Sequence, residues 1–313
     1  MKIVTLDAGT LPVQLEKPES CDNWIYREST REEDIVSVLD NAEIVITNKV
    51  PLRKGTLEKL PSLRFICVAA TGYDCIDTDY CRERGIVVSN VPGYSTRSVS
   101  ESVIASVFAL RRNLIEYCCA SHTEWSSSLH FCLHKSPIGD IQEATLGIIG
   151  RGDIGCAVAR LARLLGMNVL FAERPGQSNV REGYALFEDV ISQSDILTLH
   201  CPLTPETYQI INRDVLIRMK PSALLINTAR GALINENDLA DALTRGEIAG
   251  AALDVLTKEP PSPENKLFQI PHKNLLITPH VAWASQTSVN NLVKGINYNL
   301  AGFFGGVIKN RVV

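Results

Sequence analysis

The run Thr145-Leu-Gly-Ile-Ile-Gly-Arg-Gly-Asp-Ile-Gly155 constrains this chain more than any other stretch. An apolar segment of strand character enters a loop with Gly150, Gly152 and Gly155 in Gly-x-Gly-x-x-Gly spacing. A helix-patterned segment with Ala157, Leu161 and Leu164 on one face leaves it. The first glycine permits a tight turn, the second lets backbone approach a pyrophosphate, and the third lets helix and strand pack closely. Phosphates then sit at a helix N-terminus, where unpaired N–H groups and the helix dipole favour anions. Gly166 ends the helix, and Met167 to Ala172 form a strand that delivers Glu173 about 20 residues beyond the loop, where a ribose-binding carboxylate belongs. Strand, turn, helix, strand and terminal acid together predict a Rossmann domain that binds a dinucleotide. The acid repels a 2′-phosphate and favours NAD. Arg174, next in the chain, carries the opposite charge and keeps NADP open as second choice.

At 313 residues and 45% hydrophobic content the chain supplies core for two domains. A net charge of −4 and the lack of any Lys/Arg block argue against a nucleic-acid surface. The nine cysteines are scattered, odd in number and form no Cys-x-x-Cys pair, which points to reduced thiols and no metal site. Met1 to Leu6 reads as a strand rather than a signal peptide, and no uncharged run is long enough to span a bilayer. These features predict a cytoplasmic protein with no membrane partner.

Ahead of the glycine turn, strand patterns at Lys2 to Leu6, Glu43 to Thr47, Arg64 to Ala69 and Ile86 to Ser89 alternate with helical ones at Arg31 to Leu39, Lys54 to Leu60 and Ile76 to Gly85. The stretch between Leu6 and Arg31 reads as irregular and charged. The alternation predicts a second, smaller α/β domain with its own parallel sheet. Its loop Ala70 to Asp74 leaves a strand's carboxyl end and is either a functional loop or an ordinary turn. A long helix follows, with Val99, Val103, Val107 and Leu110 on its face. The aromatic segment Ile115 to Asp140, holding Trp125 and Phe131, has no clean period; it packs on another subunit or folds back on itself.

Beyond the turn, strands end at His200-Cys-Pro-Leu-Thr204, Thr228-Ala-Arg-Gly231, Asp254 and Pro279-His280. Each polar cluster lies just past a strand, so a parallel sheet would bring them to one edge. Reduction of a carbonyl by hydride needs a proton donor, and histidine suits neutral operation. A neighbouring carboxylate would favour the protonated ring and fix its tautomer, and an arginine can grip a substrate carboxylate through two parallel hydrogen bonds. His280, Glu259 and Arg230 are the candidates. Each has a plainer reading: a bonded loop histidine, a solvated Glu in Lys-Glu-Pro-Pro, and an arginine in a surface salt bridge.

The ordered set of glycine turn, His200-Cys-Pro-Leu-Thr, Asn227-Thr-Ala-Arg-Gly, Leu253-Asp-Val with Glu259-Pro, and Pro279-His resembles the D-isomer-specific 2-hydroxyacid dehydrogenases over nearly the whole chain. Ala70-Thr-Gly-Tyr-Asp, Asn90-Val-Pro-Gly-Tyr-Ser-Thr and the Trp125 to Cys132 segment are most similar to the glycerate dehydrogenase (hydroxypyruvate reductase) branch. The resemblance implies an α/β architecture of two doubly wound parallel-sheet domains with a cleft between: a Rossmann NAD-binding domain over 99–285, and a smaller flavodoxin-like substrate domain over 1–98 to which 286–313 returns. It implies that Arg230 holds the substrate carboxylate and keto oxygen, that His280 is the acid/base and that Glu259 supports it. Backbone at Thr71 and Gly72 would receive the carboxylate. Cofactor contacts would come from Gly150, Gly152, Asp153, Ile154 and Gly155 at the pyrophosphate and from Glu173 at the ribose. Cys201, Pro202 and Thr207 would line the dinucleotide, and Thr228, Ala229 and Asp254 the nicotinamide. Two positions depart from the family pattern: Glu173 replaces the usual Asp, and Arg151 a polar or small residue. The chain carries no C-terminal regulatory extension, so unregulated turnover is expected.

The resulting expectation is a homodimeric NAD-dependent dehydrogenase that reduces hydroxypyruvate or glyoxylate, with domain closure excluding water. The alternative is a non-catalytic NAD-binding regulator that uses the same fold to dimerise. A methyltransferase on this fold would need no proton donor.

Overall fold

The computed structural model describes all residues except 14, 16, 18–20 and 22. The chain divides into two compact units, Met1–Ser95 with Ala284–Val313, and Thr96–Trp283. The named strands of each form a parallel sheet, and in the first unit Ser89 adds one antiparallel bridge to Arg311.

In the first unit, β1 (Lys2–Thr5), β2 (Asn23–Tyr26), α1 (Ile35–Val38), β3 (Ile44–Thr47), α2 (Lys54–Leu57), β4 (Phe65–Val68), α3 (Thr78–Arg84) and β5 (Val87–Ser89) follow in order. The sheet runs β2-β1-β3-β4-β5, the flavodoxin-like arrangement. β3 and β4 are buried along their whole length. Central strands covered on both faces read as continuous apolar runs, which is why Ile44 to Thr47 and Phe65 to Val68 are recognisable. β2 corrects the expectation of an irregular stretch between Leu6 and Arg31. It is an edge strand that registers Trp24 against Ile3, and the Trp24 indole N–H donates to Thr5 Oγ1 at 2.9 Å. An edge strand needs only one apolar face, so its composition hides it. Part of the same stretch lies outside the described residues.

The second unit opens with α4 (Thr96–Arg111) and α5 (Leu114–Thr123), then β6 (Thr145–Ile149), α6 (Asp153–Leu164), β7 (Asn168–Phe171), α7 (Phe187–Gln193), β8 (Ile196–Leu199), α8 (Arg213–Arg218), β9 (Leu224–Asn227), α9 (Glu236–Arg245), β10 (Gly250–Leu253) and β11 (Leu275–Ile277). α5 puts regular structure into a segment that shows no period in sequence. The strand order is β11-β10-β9-β8-β6-β7. Past β7 the sheet continues as a single parallel bridge, Ala172 to Ala185. Alternate residues of the strands feed two cores. Leu146, Ile148, Ile196 and Ile226 join α4 and α6 on one face, while Ile149, Leu197, Leu199 and Leu225 join α7, α8 and α9 on the other. Both faces of the sheet are thus covered.

The buried stripe of α6 is Gly155, Val158, Ala159 and Ala162, whereas Leu164 is 80% exposed, so the expected Ala157, Leu161, Leu164 face is off by one register. Small residues lie inside because the helix approaches the sheet closely at the glycine turn.

The chain returns to the first unit as α10 (Gln286–Phe304), capped by Ser285, whose side chain accepts from the Ser288 N–H. Phe303 stacks on Phe65 at 4.6 Å, and Asn299 Nδ2 donates to Asn90 O at 2.7 Å. Among the described residues no helix is long and apolar enough to cross a membrane.

Candidate active site

Every candidate residue in the second unit follows the carboxyl end of a parallel strand, so the clusters emerge along one edge of the sheet. The order reverses at β6, which has β7 on one side and β8 on the other. Such a switch point is where open α/β sheets leave a crevice.

Gly150 leaves β6 at φ +107°, and a Cβ there would lie 2.5 Å from the carbonyl carbon and oxygen of His200. A side chain is excluded on both conformational and steric grounds. At Gly155 a Cβ would overlap the Gly150 carbonyl oxygen. Gly152 differs, because among the described residues, its chain neighbours aside, nothing lies within 4 Å of the position its Cβ would take. It is the N-cap of α6 and makes no side-chain capping bond. Asp153 and Ile154 begin the helix. Their end of α6 offers helical N–H groups that have no intrahelical acceptor. The first and third glycines serve close packing, while the second leaves an open face beside those donors.

At the end of β7, Glu173 is buried and ionised. Arg181 clamps it, with Nε donating to Oε2 at 2.6 Å and an NH2 nitrogen donating to Oε1 at 2.7 Å. The Arg181 hydrogen bonds, with help from the Arg174 backbone N–H at 2.9 Å, pull the carboxyl down to about 2. The Arg181 guanidinium lies 4.1 Å from the Tyr184 ring centroid. Arg151 lies 5.1 Å from the rings of both Phe171 and Tyr184. Nothing in the sequence pattern singles out Arg181, since it is eight positions away on a loop.

At the end of β8, burial pushes His200 down to about 4, so the imidazole is neutral, and its Nε2 lies 2.9 Å from Thr198 Oγ1. Burial likewise raises the Cys201 thiol to about 11, leaving it protonated and unreactive. Beyond Pro202, Thr207 Oγ1 accepts from the Thr204 N–H at 2.7 Å and donates to Pro202 O at 2.7 Å, which shapes the loop.

The remaining loops come from β9, β10 and β11, which are neighbours in the sheet. Asn227, fully buried, accepts from the Ala229 N–H at 3.0 Å and donates to Arg230 O at 2.8 Å, folding the Thr228-Ala229-Arg230 turn on itself. At Gly231 a Cβ would overlap the backbone of Leu256 and Thr257, so the β9 loop lies directly against the β10 loop. Glu259 is exposed. Its Oε1 accepts the Leu256 N–H at 3.0 Å, and its Oε2 lies 2.7 Å from His280 Nδ1. Backbone contact and two carboxylate bonds therefore link the turn bearing Arg230, through Glu259, to His280.

His280 has φ +53°, an uncommon conformation for a side-chain-bearing residue, one that surrounding structure must hold. Asp254 does so. Its Oδ1 accepts from Thr278 Oγ1 at 2.5 Å and the Val281 N–H at 2.9 Å, its Oδ2 accepts the Ala282 N–H at 2.9 Å, and its own carbonyl accepts the His280 N–H at 2.9 Å. The acceptors of Asp254 are thus directed into the loop on either side of His280. Thr71 and Gly72 belong to the first unit. They follow β4, where Thr71 Oγ1 donates to Val91 O at 3.0 Å and Thr71 O accepts Asn90 Nδ2 at 2.7 Å.

Residues 104–282 match the family model described as D-isomer specific 2-hydroxyacid dehydrogenase, NAD binding domain. The chain belongs to the D-isomer specific 2-hydroxyacid dehydrogenases. It is 43% identical over 308 residues to a putative 2-hydroxyacid dehydrogenase of Haemophilus influenzae, covering 97% of this chain and 98% of that one. It is 41% identical over 313 residues to the glycerate dehydrogenase of Methylorubrum extorquens, covering 99% and 98%. Among solved structures, the Aquifex aeolicus D-lactate dehydrogenase complexed with NAD and lactic acid superposes with a TM-score of 0.82 at 27% identity, covering 98% of this chain and 96% of that one. A nicotinamide dinucleotide, the cofactor of this dehydrogenase family, fits the residues present. Gly152 leaves open space at the start of α6, and Thr228 Oγ1 is buried with no hydrogen-bond partner among the described residues.

Proposed function

We propose that this 2-hydroxyacid dehydrogenase reduces a small 2-keto acid, hydroxypyruvate or glyoxylate, to the D-2-hydroxy acid, with His280 as proton donor. The observation that carries this reading is the 2.7 Å contact between Glu259 Oε2 and His280 Nδ1. It turns the ring so that Nε2 is the nitrogen left for a substrate oxygen, and an acid/base needs that division of labour. When bound, the nicotinamide cofactor supplies the hydride. The α6 N-terminus at Gly152, Asp153 and Ile154 would hold its pyrophosphate, the end of β7 its ribose, and the Thr228-Ala229 turn its nicotinamide end.

Arg230 would grip the substrate carboxylate and the keto oxygen, a task suited to a planar fork of donors. His280 would give its proton to that oxygen during reduction and take it back in the reverse direction. Glu259 holds the ring for both directions, and Asp254 holds the loop. The relatives named glycerate dehydrogenase and hydroxypyruvate reductase, 41% and 37% identical to this chain, support the choice of substrate. A panel of 2-keto acids followed by loss of NADH absorbance tests it. Turnover greatest with hydroxypyruvate or glyoxylate is expected, and NADH binding without turnover on any member would sink it.

A homodimer working in the cytoplasm is part of the same proposal. Its support is the segment after α5, where Trp125, Leu129 and Phe131 are 51%, 96% and 91% exposed. Large apolar side chains at that exposure favour cover by a second copy. Light scattering on the purified protein, with a Phe131→Ser and Leu129→Ser double variant beside it, checks the assembly.

A further inference from the structure

The sequence places a ribose-selecting acid at Glu173, yet the folded chain has already engaged that acid. Oε1 accepts from the Arg174 N–H at 2.9 Å and from an Arg181 guanidinium nitrogen at 2.7 Å. Oε2 accepts from Arg181 Nε at 2.6 Å and from the Arg181 backbone N–H at 3.3 Å. A carboxylate offers about four lone-pair sites, and four donors occupy them. Ribose hydroxyls approaching Glu173 find no acceptor while Arg181 stays in place. Because the carboxyl is held at about 2, no working pH releases the arginine.

The surroundings are cationic. Arg181, 56% exposed along its side chain, stacks on Tyr184, and Arg151 stands over Tyr184 and Phe171 with a nitrogen donating to Glu182 O at 3.2 Å. Arg174 adds a third guanidinium, opposed by Glu206, whose carboxyl is lowered chiefly by a Thr204 hydrogen bond and least by the charge of Arg174. With Glu173 matched by Arg181, the balance at the end of β7 is positive, and guanidinium forks suit phosphate oxygens.

We propose that Arg181 sets cofactor selectivity: bonded to Glu173, it makes the ribose end of the site accept a 2′-phosphate, so that NADPH serves beside NADH. Without it, Glu173 becomes an acid that selects NADH. This rests on the reading of the glycine turn as the dinucleotide site.

Calorimetric titration of the full chain with 5′-AMP and with 2′,5′-ADP tests the proposal without turnover. The wild type should bind the two within about tenfold of each other, a gap that one charge-assisted hydrogen bond can span. Arg181→Gln should bind 5′-AMP more tightly and 2′,5′-ADP more weakly, shifting the ratio by about tenfold or more. The gain for 5′-AMP is the distinguishing result, since loss of a phosphate contact alone would leave 5′-AMP unchanged. Arg181→Lys keeps the charge but cannot hold both oxygens, and should move the ratio the same way by less. A wild type that disfavours 2′,5′-ADP by more than about a hundredfold overturns the proposal. So does an unchanged ratio in both variants. If neither nucleotide binds any of the proteins, the dinucleotide reading itself falls and the proposal with it.

Discussion

Glu259 Oε2 lies 2.7 Å from Nδ1 of His280, while its Oε1 accepts the Leu256 N–H at 3.0 Å. Glu259→Gln keeps shape but cannot accept from both sides, because an amide has one oxygen. A charge-assisted hydrogen bond contributes about 1.5–3 kcal/mol, so kcat should fall by about ten- to a hundredfold. KM for the keto acid should stay nearly constant, since Arg230, the proposed grip on the substrate carboxylate, is untouched. Steady-state kinetics with KM and kcat resolved separately check this; a rise in KM alone would contradict the positioning role.

His280→Asn tests the proposed proton donor. Asparagine tolerates the left-handed backbone at φ +53° better than alanine does, so the loop should keep its course. Turnover should drop by about 10²–10⁴, the usual contribution of a positioned acid or base. NADH affinity, read by fluorescence titration, should hold within about twofold, because the glycine turn is unaltered. Activity surviving at the wild-type level would place the proton elsewhere.

Two glycines offer opposite outcomes. Gly231→Ala puts a methyl into the Leu256 and Thr257 backbone, and urea denaturation should show a loss of about 3 kcal/mol or more. Gly152→Ala meets nothing within 4 Å among the described residues beyond its chain neighbours, so its folding penalty should be about 1 kcal/mol or less, while NADH binding weakens markedly. Equal stability loss in both would contradict the division between packing and binding glycines.

His200 should make stability depend on acid. Burial lowers it from 6.5 to about 4, so between those values the unfolded chain takes up a proton that the folded chain refuses. Its contribution is therefore complete above about pH 6.5 and falls by about 3 kcal/mol as pH drops toward 4. Denaturation midpoints along that range, compared with His200→Gln, should show a shallower acid slope in the variant. Parallel slopes would mean that the imidazole is solvated.

Much of this architecture is legible in the residues because parallel strands covered on both faces are continuous apolar runs ending in polar turns. β3, β4, β6, β8 and β9 all read that way. β2 has no such signature, because an edge strand such as Asn23 to Tyr26 is exposed or only partly buried along its length. The buried face of α6 is faint in sequence because the helix touches the sheet through Gly155, Val158, Ala159 and Ala162, mostly small residues with a weak hydrophobic signal. At the site, residue types make Glu259 and His280 candidates, but only the family resemblance pairs them; their contact joins loops of β10 and β11. Arg181 and the loop-holding bonds of Asp254 were not legible, since each depends on a close approach between segments that no spacing rule encodes.

Beyond β7 the sheet shrinks to one residue pair, Ala172 with Ala185. The segment between them, carrying Arg174, Arg181 and Tyr184, is anchored at its two ends without the register that a full strand imposes. Insertions or exchanges there need not disturb any ladder of backbone bonds. On the proposed reading, a change of coenzyme preference made there would leave the loops after β9, β10 and β11 untouched.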